Sequence, residues 1–368
     1  MRWYNTIAPW FVAQGFTQGK NDPCVFTHEE RGLVVGMHVD DLLVSGSKED
    51  TEWFYGALGE KFECKEPSYL SPETPMVFVG FRISSEMKGG IEHRYMDCEE
   101  DVVKFLKKVG YEGGRTLKCP MPDPAEVVSD TMELGEADAQ EFRSRVGSLN
   151  YYVQTVRFDL AHAVSRLGQF SARPTVGAWK SLRMVVTYLA STNEFRIGGA
   201  LREGEDVFKV YTDSDHAGDR ALTKRSQTGV MVMMNGVPVM WKSARQPSTS
   251  ISSAVAEIYA LSVGVIQGRL FLWRCEEMGM KVAWPFQVMV DNNQAISFQK
   301  DTCIDSKVRG NFDLRDEFVT ELRLAGVVVV SKVATEDNYA DVLTKCMNSG
   351  RFNSVVDKVQ GEGELTPG

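Results

Sequence analysis

From about residue 205 the chain carries an order of segments that few folds satisfy. Three strand-like runs follow one another: DVFKVYTD (206–213), TGVMVMMNG (228–236) and VPVMWKSA (237–244). The Asn235-Gly236 pair supplies a hairpin turn between the second and third. A long apolar run (252–279) then has helical spacing, with Ser252 or Ser253 as N-cap. After it come a strand (286–293), a short helix (294–300), a helix (313–326) closed by Gly326, a strand (327–334) and a final helix (338–346). Three antiparallel strands, a helix, then alternating strands and helices predict a mixed α/β sheet flanked by helices.

Upstream, LVVGMHVDDLLVSG (33–46) reads as a hairpin with a polar tip. Helices are expected at 48–62 and 98–110, and one strand at 76–84. The N-terminal stretch is helical in pattern up to Pro9. Residues 118–135 hold three prolines and no clear period, which marks a boundary. Residues 136–192 read as wholly helical. The division that follows is 1–120, 121–200 (a helical connection), 201–347 (the mixed-sheet domain) and 348–368 (a tail).

Composition narrows the function classes. No apolar run approaches 18 residues, so no membrane span is expected. Seven cysteines form no Cys-x-x-Cys pair, which argues against a disulfide framework and against zinc. Only five histidines occur, and no His-Glu-x-x-His motif. The net charge of −9 counts against a domain that holds nucleic acid by charge alone, although local basic strips occur at 106–118 and 222–227.

The chemistry concentrates in four acids. Asp213 ends the first strand of the mixed sheet, in YTDSDHAGD, with Asp215 and Asp219 close behind. Glu257 lies one turn into the long helix, Asp291 ends FQVMVD, and Asp341 begins the last helix. Taken singly, each is as well explained as a turn, cap or solvated position. Together they fit a site for hard divalent cations, which take oxygen ligands. Two such ions about 4 Å apart can activate water and stabilise the leaving oxygen of a phosphodiester. An EF-hand beginning at Asp213 fails, because Ala217 and Lys224 stand where ligands are needed.

These residues resemble a known family. YTDSDHAGD, RSQTGVMVMMNGVPVMWKSARQPSTSISSAVAEIYALS, VDNNQAI and TEDNYADVLTK look like the ribonuclease H domain of copia-type LTR retrotransposon (Pseudoviridae) Pol polyproteins. The resemblance implies a ribonuclease H-like five-stranded mixed sheet and a two-metal nuclease, using Mg2+ with Mn2+ as a substitute, that cuts the RNA strand of RNA–DNA hybrids. Asp213, Glu257, Asp291 and Asp341 carry over as metal-binding catalytic acids, with Asp215 and Asp219 secondary. Lys224, Arg225, Ser226, Asn292, Asn293 and Gln294 are the strand-holding candidates.

The upstream part is similar to the same polyprotein's reverse transcriptase. HVDDLLVSG resembles the hairpin that places two carboxylates in the polymerase palm, and residues 143–189 look like the connection to ribonuclease H. The family's earlier palm motifs are not found before Asp40 and Asp41, so these form half a metal site. Polymerase activity from this chain alone is not expected, and the missing part of the reverse transcriptase is an expected partner. His38 replaces the family's Tyr, and Gly310 and Asn311 replace Lys and His.

The alternative is an inactive or interaction-only remnant that keeps the fold. An integrase or resolvase of the same broad fold fits the last acid less well. The resemblance implies an intracellular protein, cytoplasmic or nuclear, with no membrane partner.

Overall fold

The computed structural model describes residues 2–121, 125–200, 207–218, 223–293, 296 and 314–360. The segment containing Gly310 and Asn311, most of the short helix expected at 294–300, Asp219 and Gln294 lie outside the described residues.

The mixed sheet is built on alternation. Its strands are β9 (Phe208–Ser214), β10 (Gln227–Met234), β11 (Val237–Arg245), β12 (Phe286–Val290) and β13 (Val328–Lys332), in the spatial order β11-β10-β9-β12-β13. β9, β10 and β11 pair antiparallel, and β12 runs parallel to both β9 and β13. Along β10, Val230 and Val232 face one apolar core, while Met231 and Met233 face the other. Strand side chains alternate between faces, so a sheet covered on both sides reads as a continuous apolar run.

One face is covered by α7 (Ser253–Glu277) and α8 (Leu314–Leu324), whose Leu261, Val265 and Val319 share a core with Val210 and Val288. By length and composition alone α7 could cross a bilayer, although Ser, Gly and Gln interrupt its apolar run. Here it lies on the sheet. Glycine permits the close approach: a Cβ on Gly264 would come within 2.3 Å of Thr212 Cγ2.

The other face is covered by α4 (Glu136–Thr155), α5 (Ala161–Gly168), α6 (Val176–Ser191) and α9 (Ser349–Val359). α9 begins at an Asn348 cap and buries Phe352, Val355, Val356 and Val359. Most of the expected tail is therefore a core element. At the centre of this layer Arg157 is fully buried, with Nε and Nη2 bonded to Asp159 at 2.9 and 2.7 Å. Tyr188 donates to Asp159 at 2.8 Å, and Arg157 also donates to Thr192 O at 3.1 Å.

Two smaller sheets precede this body. The first is β1 (Thr17–Gln18), β2 (Val25–His28), β3 (Leu33–His38) and β4 (Asp41–Ser45). It packs on α1 (Arg2–Ala13) and α2 (Lys48–Lys61) through Ile7, Phe11, Phe26 and Phe54. The expected hairpin is present, with His38 opposite Asp41. α1 runs through Pro9 rather than stopping there. The lost amide bond is offset by burial of Ile7 and Phe11 on either side, Phe11 stacking on Phe26 at 4.3 Å.

The second small sheet is β5 (Met76–Phe78), β6 (Phe81–Lys88), β7 (Ile91–Asp97) and β8 (Arg196–Ala200), with α3 (Glu99–Lys108) following β7. The single strand expected at 76–84 is two, because Val79 and Gly80 both take positive φ and turn the chain back. The helical connection likewise ends in a strand, β8, which pairs with β7. Glu277, at the end of α7, accepts hydrogen bonds from the amides of Lys20 (3.0 Å) and Asn21 (3.2 Å), which ties the first sheet to the mixed-sheet body.

Candidate active site

Parallel neighbours end at the same sheet edge. β9 and β12 are such neighbours, so Asp213, near the end of β9, and Asp291, the residue after β12, come to one edge. α7 starts above it: the Ser252 hydroxyl accepts from Val255 N at 3.3 Å, and the first turns bring Glu257 over the strand ends. One carboxylate oxygen from each of Asp213, Glu257 and Asp291 lies within 4.8 Å of the other two. Asp213 and Glu257 are buried and Asp291 is half-buried.

The fourth acid arrives on a separate segment. Residues Tyr339–Leu343 form a 3-10 turn rather than the expected helix. Asn338 anchors it, accepting from Ala340 N at 3.2 Å and donating to Thr212 O at 3.0 Å. The turn crosses β10 at Gly229, which is opposite Asp213; a Cβ there would meet Ala340 O at 2.7 Å. Asp341 is fully buried and is not in the three-carboxylate group. It pairs instead with Lys345 at 2.8 Å and with Arg351. Thr344 donates to Asp213 Oδ2, and Lys345 Nζ is 3.5 Å from the same oxygen.

Electrostatics follow from this packing. Burial pushes the Asp213 carboxyl up to about 7; Asp341 and Asp291 add to the rise, while Lys345 and the Thr344 hydroxyl oppose it. Burial pushes Glu257 up to about 9, with Asp213 and Asp291 adding to it. Burial disfavours the Lys345 ammonium, but Asp213 and Asp341 outweigh that and raise it above the ordinary lysine value. Three convergent carboxylate oxygens, two of them on buried side chains, are a hard-donor set that fits a divalent cation.

The remaining predicted residues divide. Lys224 is exposed and Arg225 half-buried, on the segment that leads into β10 at the acidic edge. Asn292 and Asn293 follow Asp291, half-buried and exposed respectively. Ser226 departs from its expected role: it is 1% exposed, and its hydroxyl accepts from Ala217 N at 3.2 Å, so it builds the turn instead of facing a strand. Asp215 turns to accept from Gln227 N. Asp40 and Asp41 are exposed on the β3–β4 tip, in a different sheet from the acid cluster. Lys345, Thr344 and Arg351 were missed from the sequence. The spacing of Asp341 and Lys345, four residues apart, was the available signal for Lys345.

No protein-family model matches the chain. It is 24% identical over 365 residues to the Retrovirus-related Pol polyprotein from transposon TNT 1-94 of Nicotiana tabacum, covering 95% of this chain and 26% of that protein. It is 28% identical over 372 residues to the Retrovirus-related Pol polyprotein from transposon RE2 of Arabidopsis thaliana, covering 97% and 24%. The chain thus spans about a quarter of the length of these relatives. Among solved structures, LC11-RNase H1 in complex with RNA/DNA hybrid is 17% identical, with a TM-score of 0.29 over 37% of this chain and 93% of that one. In its ordered acid motifs, and through relatives aligned from one end of the chain almost to the other, the chain is similar over nearly its whole length to the retrovirus-related Pol polyproteins of copia-type transposons.

Proposed function

We propose that this Pol segment is a Mg2+-dependent ribonuclease that cuts the RNA strand of an RNA–DNA hybrid. The observation that carries the reading is the convergence of Asp213, Glu257 and Asp291, from three separate elements, at one sheet edge. A divalent ion held by them supplies Lewis-acid polarisation of a phosphodiester.

The chain's own residues have the following roles in this reading. Asp213, at the centre, is fixed by the Thr344 hydroxyl, so its second oxygen keeps a constant direction. Glu257 and Asp291 approach from either side and orient the attacking water. Water adds to phosphorus as the bond to the 3′ oxygen breaks, leaving a 5′-phosphate and a 3′-hydroxyl. Lys224 and Arg225 would hold backbone phosphates. Asn292 and Asn293 carry amide groups suited to the 2′-hydroxyls that distinguish RNA. Asp40 and Asp41 lie on an exposed tip in a different sheet and take no part in this cleavage.

The test is incubation of the full chain with a labelled RNA–DNA hybrid, with Mg2+ or with EDTA. RNA-strand cleavage with Mg2+ only, lost in Asp213→Asn, is the expected result. A folded chain that leaves the hybrid intact would instead mark the protein as a remnant that keeps the fold.

A further inference from the structure

Lys345 stands where a nuclease of this kind would be expected to hold a cation. Its Nζ is 2.8 Å from Asp341 Oδ1 and 3.5 Å from Asp213 Oδ2, so the ammonium bridges the two acids. Its backbone is fixed as well: the Lys345 amide donates to Asp341 O at 3.3 Å, and its neighbour Thr344 bonds both Asp213 and Asp341 O. The side chain is 40% exposed, so the charge lies at the mouth of the site, open to an approaching phosphate. Arg351 pairs with the other oxygen of Asp341.

Charge balance gives this arrangement a consequence. Asp213, Glu257, Asp291 and Asp341 carry four negative charges when ionised. Lys345 and Arg351 return two, leaving two, which a single divalent ion cancels. A second divalent ion on the Asp213–Asp341 side would meet an ammonium already in contact with both acids. Like charges at such separations repel.

Resting on the nuclease reading above, we propose that Lys345 is a tethered cation in the place of a second metal ion, so that the site holds one divalent ion, on Asp213, Glu257 and Asp291. The ammonium then supplies permanently, and without dehydration of an ion, the positive charge that the second metal would bring to the substrate phosphate.

The experiment counts ions, using Mn2+ on the full chain by calorimetry and by electron paramagnetic resonance of the unbound ion. The wild-type chain is expected to bind one Mn2+. Lys345→Met, close in shape but uncharged, is expected to bind a second, its affinity raised on the order of a hundredfold. Lys345→Arg keeps the charge and is expected to bind one, which separates loss of charge from loss of fold; circular dichroism checks all three. Two Mn2+ of similar affinity in the wild type would overturn the proposal, as would a folded Lys345→Met chain that still binds one. The two readings fail separately. A chain that binds one ion but cuts no hybrid removes the nuclease and leaves the ion count standing. A chain that cuts hybrid with two ions bound does the reverse.

Discussion

Asp40 and Asp41 stand on the β3–β4 tip in contact with water, whereas Asp213 and Glu257 are 2% and 7% exposed and share a pocket with Asp291. Both regions bring carboxylates together, yet only one does so against a physical penalty. Exposed acids on a hairpin tip are solvated, so their presence places little demand on the fold. Buried acids that repel one another hold the fold in a less stable state until a cation joins them. The cations on hand, Lys345 and Arg351, are engaged with Asp341 and with one oxygen of Asp213. Burial, more than the number of acids, distinguishes a site suited to an ion from an acidic turn.

The largest expected effect is on cleavage. Asp213→Asn should reduce Mg2+-dependent cutting of a hybrid by more than the roughly 10–100-fold lost when an outer partner of a metal ligand is removed. The double variant Asp40→Asn, Asp41→Asn should leave the rate unchanged in the same gel assay. Equal losses in both would break the distinction between the two regions.

A second test asks whether burial alone makes an acid costly. Asp159 is as deeply buried as Asp213 but is matched by Arg157 and Tyr188. Asp159→Asn should lose about 3–5 kcal/mol in urea unfolding, because it strands a buried guanidinium. Asp213→Asn in EDTA should instead raise the midpoint, because it removes repulsion. A loss of similar size in both variants would mean that the cluster is already neutralised from within.

The third test is pH. Asp213 and Glu257 have folded values of about 7 and about 9, raised from 3.8 and 4.5. Groups raised in the fold favour the protonated protein. Their stabilising contribution is full below the unfolded values and is lost as pH rises through the folded ones. In EDTA the melting temperature should therefore fall between pH 5 and pH 9, and Glu257→Gln should flatten the decline. A wild-type profile that rises over that range would contradict the pocket described. The smallest effect belongs to the hairpin: Asp40→Asn should change stability by no more than about 0.5 kcal/mol.

The mixed sheet was legible because its strands are unbroken apolar runs and its turn residues are explicit. Val230, Met231, Val232 and Met233 are apolar on both faces, and Asn235-Gly236 turns the chain where such a pair is expected. Three of the four proposed acids could be placed at one edge from their positions at element ends. Other features depended on tertiary contact. α9 follows the last recognised motif and gains its place by burying Phe352 and Val355 against distant helices. β8 contains Gly198 and Gly199, poor strand residues that β7 recruits through pairing. Val79 takes a left-handed conformation that no valine advertises. Lys345 was not singled out because Asp341 read as an acid at the start of an expected helix; the tighter turn and Gly229 bury Asp341 instead and turn Lys345 onto it.

The bond from Thr344 to Asp213 joins positions 131 apart, which sets the order in which this protein can be assembled. Contacts of such sequence separation form late, because a long loop must close before they are rewarded. A growing chain exposes Asp213, then Glu257, then Asp291, and reaches its own ammonium last. A product that ends between Asp291 and Lys345 carries the three acids and lacks the ammonium that lies beside Asp213. Such a truncated chain is the form of this protein most dependent on an external cation, and the one most exposed to aggregation on the way to the native state.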